Sequence, residues 1–179
     1  MTNRMRLYLT RMNHFDSALC IKASHTSQYP IVRDCFRLVS RLGDGVFWYT
    51  MLIGILLVQG EDALLPVLHI IITGLSGTIV YRWLKGKTLR PRPYQVLQDV
   101  WLTGKPLDYF SFPSGHTLHA AAFTSMTLAY YPALAMLVVP FSIMVAMSRV
   151  ILGLHYPSDV LAGTVIGVAI SLISITIVF

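Results

Sequence analysis

The sequence predicts an all-α, polytopic membrane bundle of about five transmembrane helices plus interfacial N-terminal helices, and three observations predict it. Of the 179 residues, 55% are apolar and only 12% charged, a balance too greasy for an ordinary water-soluble domain. The apolar residues gather into long runs, several close to the ~20 residues that cross the hydrocarbon of a bilayer. The charges are segregated: Lys and Arg cluster before Gly43 and again from Arg82 to Lys105, and the last third holds only Arg149 and Asp159. Charge set inside apolar sequence is expensive, so those two need a reason. By length, residues 1–179 read as a single domain.

The net charge of +6 fits nucleic acid, an anionic membrane surface or an anionic substrate. The basic residues flank hydrophobic runs, so a lipid bilayer with anionic lipid is the expected partner and nucleic acid is not. Cys20 and Cys35 show neither metal-ligand spacing nor a disulfide framework. The basic start runs into Arg11, Asn13, His14 and Asp16 instead of an apolar core, so no cleaved signal peptide is expected. Nothing in the pattern speaks to oligomeric state.

Residues 1–43 interleave Arg4, Arg6, Arg11, Lys22, Arg33, Arg37 and Arg41 with Leu19, Ile21, Ile31, Val32, Phe36, Leu38 and Val39. That pattern predicts short amphipathic helices lying in the interface, broken near Tyr29-Pro30 and stopped at Gly43. Val46 to Val58 and Ala63 to Leu84 are two apolar runs joined by the tight acidic turn Gln59-Gly60-Glu61-Asp62, hence an antiparallel pair. Phe47, Trp48 and Tyr49 at one end, with Tyr81 and Trp83 at the other, read as interfacial aromatics on one side. Residues 85–112 are polar, hold Pro91, Pro93, Gly104 and Pro106, and read as a structured loop between spans. Thr117 to Tyr130, Ala133 to Leu152 (interrupted by Pro140) and Ser158 to Phe179 are the remaining spans. Ala120, Ala121 and Ala122, with Gly163 and Gly167, suit close helix contact in lipid.

Counting crossings puts residues 1–44, the loop 85–112 and the segment 148–158 on one side, with all fourteen Lys and Arg residues. Three separated segments then meet. The first holds Lys85, Lys87, Arg90 and Arg92. Lysine and arginine at a helix end commonly snorkel to the interface, but Arg92 is clamped between Pro91 and Pro93, and a guanidinium so fixed can grip two phosphate oxygens. The second segment is Phe112-Pro113-Ser114-Gly115-His116-Thr117. Pro113 suits a helix start, and Ser114 and Gly115 then offer backbone N–H groups to an anion. His116 stands beside them, able to give a proton to a departing alkoxide, while His119 one turn on is assigned to polar packing. The third segment holds Ser148-Arg149, His155 and Asp159. Arg149 suits a helix C-terminus, and Asp159, four residues from His155, can orient that imidazole and leave its other nitrogen free to attack. His155 is then a nucleophile and a phosphohistidine the expected intermediate.

Lys85 with Arg92-Pro93, then Pro113-Ser114-Gly115-His116, then Ser148-Arg149 with His155 and Asp159, resemble the three ordered signatures of the type 2 phosphatidic acid phosphatases, which share a pocket with vanadium haloperoxidases. The resemblance covers Lys85 to Asp159. It implies that Lys85, Arg92, Arg149, Ser114 and Gly115 bind the substrate phosphate, that His116 protonates the leaving group, and that His155 with Asp159 forms the nucleophile pair. It also implies an all-helical membrane core, no cofactor and no metal, and a lipid phosphate or diphosphate substrate, undecaprenyl diphosphate or phosphatidate among them. Many membrane members have six spans. Five with an interfacial N-terminal part is closer to the shorter bacterial undecaprenyl-diphosphate phosphatases, which implies a bacterial inner membrane with the site on the periplasmic side. The positive-inside rule would instead put the basic residues in the cytoplasm, but it is compromised where charges serve to bind phosphate.

A lipid phosphotransferase would use the same intermediate. A metal phosphatase built on His116, His119, His155 and Asp159 is disfavoured, because the surrounding cations would repel a divalent ion. A transporter of anions or lipids with no chemistry could use Pro140 and His69 as pathway elements, yet it gives Asp159 no reason to stand four residues from His155. His69 is expected to be a buried imidazole bonded to a neighbouring helix. Head-group choice is expected from Tyr94, Gln98, Asp99, Trp101, Lys105, Asp108 and Tyr109 in the loop.

Overall fold

The computed structural model describes residues 3–178, with side chains from residue 14 onward. Arg4, Arg6 and Arg11 of the basic N-terminal pattern, and Phe179 at the end of the last apolar run, lie outside the described side chains. Helix α1 spans Asn3–His25 and α2 Pro30–Arg41. The expected break falls between them, as a short 3-10 turn over Thr26–Gln28 and an extended Tyr29. Pro30 explains it: the residue before proline is pushed out of the helical region, while proline itself suits a first helical position. The expectation of several short helices ending at Gly43 is corrected on two counts. Helix α1 is one 23-residue element. Beyond α2 the chain winds through a π-type turn at Leu42–Val46 straight into α3, Phe47–Gln59. The change of direction falls on Gly45, whose φ of 137° only glycine adopts without strain.

Helix α4 spans Leu64–Thr88 and returns antiparallel to α3 through the predicted turn, here a 3-10 turn at Gly60–Ala63. The loop that follows contains one short helix, α5 (Pro93–Val96), started by Pro93. Helices α6 (Gly115–Tyr130), α7 (Ala135–Ile151) and α8 (Pro157–Val178) complete the chain, and no strand occurs among the described residues. Pro140 sits inside α7 without ending it.

Helix α6 is the centre of the bundle, packed by α4, α7 and α8. The α8 contact is made close by small residues. A Cβ on Gly163 would lie 2.6 Å from the Ser114 carbonyl oxygen, and one on Gly167 2.3 Å from that of Leu118, so a larger residue at either position would push the helices apart. Ser171 Oγ donates to the Ala122 carbonyl at 3.1 Å across the same seam. His69 is bonded as expected, to Tyr130 Oη at 2.6 Å and Ser174 Oγ at 2.7 Å.

The apolar core gathers Trp48, Ile70, Phe123, Met126, Val138 and Val145. Trp48 is a correction to the interfacial assignment: it is 2% exposed and stacks on Phe123 at 5.3 Å. Its neighbour Tyr49 and Trp83 at the end of α4 stay outside, 60% and 61% exposed. The outer faces of α3, α4, α7 and α8 carry Leu57, Leu65, Ile79, Met136 and Ile177, all exposed. Lipid is the solvent such a surface requires. Three stretches, Pro30–Val96, Pro132–Ile151 and Pro157–Val178, are long and apolar enough to cross a bilayer.

Candidate active site

The antiparallel order brings the end of α4, the loop after it, the starts of α6 and α8, the end of α7 and the α2–α3 turn to one end of the bundle. A cavity of about 630 Å³ opens there, with Arg82, Lys85, Arg92 and Arg149 in its wall against two carboxylates among the described residues, Asp44 and Asp108. Gly115, His116, His119 and His155 line it as well.

Lys85 ends the apolar part of α4 and is 7% exposed. Its Nζ donates to Asp108 Oδ2 at 2.5 Å. Arg92 is 1% exposed between its two prolines, and Gln95 accepts its backbone N–H at 2.8 Å. Its guanidinium donates to Asp108 Oδ1 at 2.8 Å, to the Asp108 carbonyl at 3.0 Å and to the Leu154 carbonyl at 2.8 Å. Asp108 thus bridges two cations. Partial burial pushes its carboxyl up, but Lys85 and then Arg92 outweigh this and hold it below the usual carboxylate range.

Arg149, in the last turn of α7, is 1% exposed. One Nη donates to Ser40 Oγ at 2.5 Å, and its Nε and other Nη have no hydrogen-bond partner. Two unmet guanidinium donors, buried and facing a polar cavity, are an open request for an anion.

His155 follows α7 on the loop Leu152–Tyr156 and is 1% exposed. Its Nε2 lies 3.2 Å from the Arg92 guanidinium. Its Nδ1 is 3.6 Å from Asp159 Oδ2, longer than a hydrogen bond, and has no other partner. The pairing read from the i, i+4 spacing is therefore a near approach. Burial, then the charges of Arg149, Arg92 and Lys85, hold the imidazole well below its ordinary value, which keeps it neutral. A neutral imidazole among cations is a competent nucleophile toward a bound phosphoryl group.

Asp159 in the first turn of α8 is fully buried and held from two directions. Tyr156 donates its N–H to Oδ2 at 2.9 Å, and Arg90 donates to Oδ1 at 2.7 Å. Arg90 also bonds Asp16 Oδ2 at 2.7 Å and Ser158 Oγ at 2.8 Å, and its guanidinium lies 4.0 Å from the Tyr156 ring centroid. Asp16 in turn accepts the Ser158 N–H at 2.9 Å, which ties α1 to the start of α8.

His116, in the first turn of α6, is in contact with Asp44 through Nε2. His119 is satisfied by Thr78 Oγ1 and the Gly115 carbonyl, both at 2.9 Å, in keeping with polar packing. Ser114 differs from its expected part. Its N–H is donated to the Asp159 carbonyl at 3.1 Å and its hydroxyl bonds Thr117 Oγ1 at 2.9 Å, so neither faces the cavity, whereas Gly115 does. Among the described residues no three His, Cys, Asp or Glu side chains gather into a metal-holding group.

The structure thus brings Lys85, Arg92, Gly115, His116, Arg149 and His155 to one cavity, with Asp159 behind His155 and Ser114 fastening α6 to α8. Sequence reasoning missed Asp44, Asp16 and Ser40, counted Arg90 among the basic residues of the first segment without giving it a partner, and gave Asp108 to head-group choice. Asp44 did leave a trace, as an acid between two glycines directly ahead of an apolar run.

A family profile described as the PAP2 superfamily matches residues 64–179. The chain is 41% identical over 64 residues to a lipid A 1-phosphatase of Rhizobium johnstonii, a stretch covering 36% of this chain and 26% of that protein. It is 36% identical over 88 residues to an undecaprenyl-diphosphatase of Sulfolobus acidocaldarius, 48% of this chain and 42% of the other. It therefore spans less than half the length of these curated relatives. The crystal structure of Aquifex aeolicus LpxE superposes with a TM-score of 0.75 at 26% identity, over 89% of this chain and 93% of that one.

Proposed function

We propose that this chain, which belongs to the PAP2 superfamily, is an integral membrane phosphatase that hydrolyses a lipid phosphate or diphosphate through a phosphohistidine on His155. The observation that carries the reading is the approach of His155 Nε2 to the Arg92 guanidinium, 3.2 Å away, in the same cavity as the two unmet donors of Arg149. A phosphoryl group held by Arg149, Arg92, Lys85 and the Gly115 end of α6 would present its phosphorus to that nitrogen.

The reaction then runs in two displacements. Nε2 attacks phosphorus, the bond from phosphorus to the leaving oxygen breaks, and His116 gives that oxygen its proton. Burial and then the Arg149 charge hold the pKa of this imidazole down to about 4 in the free site, so its cationic form depends on Asp44 and on the negative charge that the bound substrate brings beside it. Asp159 balances the positive charge that develops on the His155 ring. In the second displacement water attacks the phosphohistidine, neutral His116 accepts the water proton, the P–N bond breaks, and phosphate leaves with His155 restored. Positioning and charge stabilisation do most of the work. Ser114 acts as a fastener of α6. Residues 1–179 form one domain in this reading, with 85–112 as its active-site loop, set in a bacterial inner membrane with the cavity at the periplasmic face.

Phosphate release from a panel of lipid phosphates and diphosphates, in detergent with EDTA, tests the reading beside His155→Ala. Release that persists in EDTA and falls by about 10³-fold or more in the variant is expected. Equal release by the variant would overturn the nucleophile assignment.

A further inference from the structure

The loop carrying Asp108 encloses a second cavity on its other side. The segment around Thr103 is docked on α2, because Arg37 Nε donates to the Thr103 carbonyl at 2.6 Å. Between loop and helix lies a cleft of about 630 Å³, lined by Arg37, Arg41 and Lys105 with Ser40, Asp44 and Leu107.

The two cavities share a wall. Asp44 and Leu107 line both, and Ser40 in the second bonds Arg149 in the first. Arg37 is committed to the loop and Asp44 to His116. The side chains of Arg41 and Lys105 have no hydrogen bond or ion pair among the described residues, although Arg41 is near enough to Asp44 for its charge to be felt there. They come from a helix end and a loop far apart in sequence, yet line one void. Both side chains are exposed, and the one carboxylate of the wall among the described residues, Asp44, is shared between Arg41 and His116, so cations outnumber anions around the void and an anion from outside is attracted to it. Lone cations at a membrane boundary would be free to snorkel apart; these are kept together by the docking of the loop.

We infer that this cleft is a subsite for a second phosphate-class anion of the same substrate molecule, one whose reacting phosphoryl group occupies the first cavity. The inference rests on reading the first cavity as a phosphate site. Two anions on one molecule gain from effective concentration only when the spacer matches the distance between sites.

The test is a binding titration of the detergent-solubilised protein with butylphosphonate and with alkane bisphosphonates of increasing spacer length, whose C–P bonds resist hydrolysis. One spacer length is expected to bind at least about tenfold more tightly than butylphosphonate. The double variant Arg41→Gln, Lys105→Gln should lose that excess while its butylphosphonate affinity stays close to wild type, which also reports that it is folded. If butylphosphonate binds and no spacer improves on it, or if the gain survives the double substitution, the subsite is overturned alone. If butylphosphonate does not bind the wild type, the phosphate reading of the first cavity falls and the subsite with it. If only phosphatidylglycerol added to the micelles binds in a way the double variant loses, the cleft holds a bulk lipid head group and the inference is overturned.

Discussion

Arg90 and Arg92 stand on either side of Pro91, yet they belong to different parts of the molecule. Arg90 points away from the cavity and joins Asp16, Ser158 and Asp159 into a network that fixes the start of α8 against α1. Arg92 points into the cavity, touches His155 and shares Asp108 with Lys85. Both are arginines paired with carboxylates. They differ in whether the partner is itself fixed: Asp159 and Asp16 are 0% and 8% exposed in their side chains, whereas Asp108 is 38% exposed on a loop. A buried pair serves architecture. A half-exposed carboxylate over two cations can yield them to a stronger anion, and in the function proposed above Asp108 holds the place of a phosphate until one arrives.

The contrast is broken most directly at Arg92. Arg92→Gln should lower kcat/KM by about 10³-fold while the melting temperature moves little, because the lost Asp108 pair is offset by relief from Arg149 and Lys85. Arg90→Gln should fall mainly on stability, with a smaller loss of kcat/KM because Asp159 behind His155 is then less firmly held. It leaves Asp159 buried with one oxygen unmet, and a loss of about 3 kcal/mol in unfolding free energy is expected, read by denaturant titration in detergent. Equal effects of the two substitutions on both readouts would erase the distinction.

Asp108→Asn sharpens it further. Two buried cations then lack their counter-ion, which should cost about 1–2 kcal/mol, and added phosphate should recover the melting temperature more fully than it raises that of the wild type. The smallest effect concerns pH. His155 is held neutral well below its ordinary value of 6.5, so below that pH the unfolded chain binds a proton that the folded chain does not. Stability should rise with pH toward about 6.5 and be lost as pH falls below it, and His155→Gln should flatten that slope by at most one proton, about 1.4 kcal/mol per pH unit. Melting curves between acid and neutral pH in both proteins read this out.

Much of this was legible in the chain. Runs of apolar residues and the turns at Gly60 and Pro132 mark the helices, because hydropathy and helix stops are local properties. Lys85, Arg92, His116, Arg149 and His155 were legible because each stands at an element boundary, where a charge needs a reason. Their partners were not. Asp44 with His116, Ser40 with Arg149, and Asp16 with Arg90 are separated by 72, 109 and 74 residues, and no local pattern encodes such pairings. Trp48 was misread for a related reason: composition marks an aromatic near a helix end, but the rotation of α3 that buries it comes from Phe123 and Phe141 on other helices. The bond from the Ser114 N–H to the Asp159 carbonyl was equally hidden, because it is made only by the packing of α8 on α6.

The central claim is covalent chemistry at His155, and rapid acid-free quenching of the protein with a lipid phosphate labelled in its phosphoryl group tests it most directly. The account predicts a transient protein-bound label that is stable to base and labile to acid, that maps to the peptide containing His155, and that is absent from His155→Ala. Phosphate release from the wild type with no protein-bound label at any time, or label that persists in His155→Ala, would contradict it.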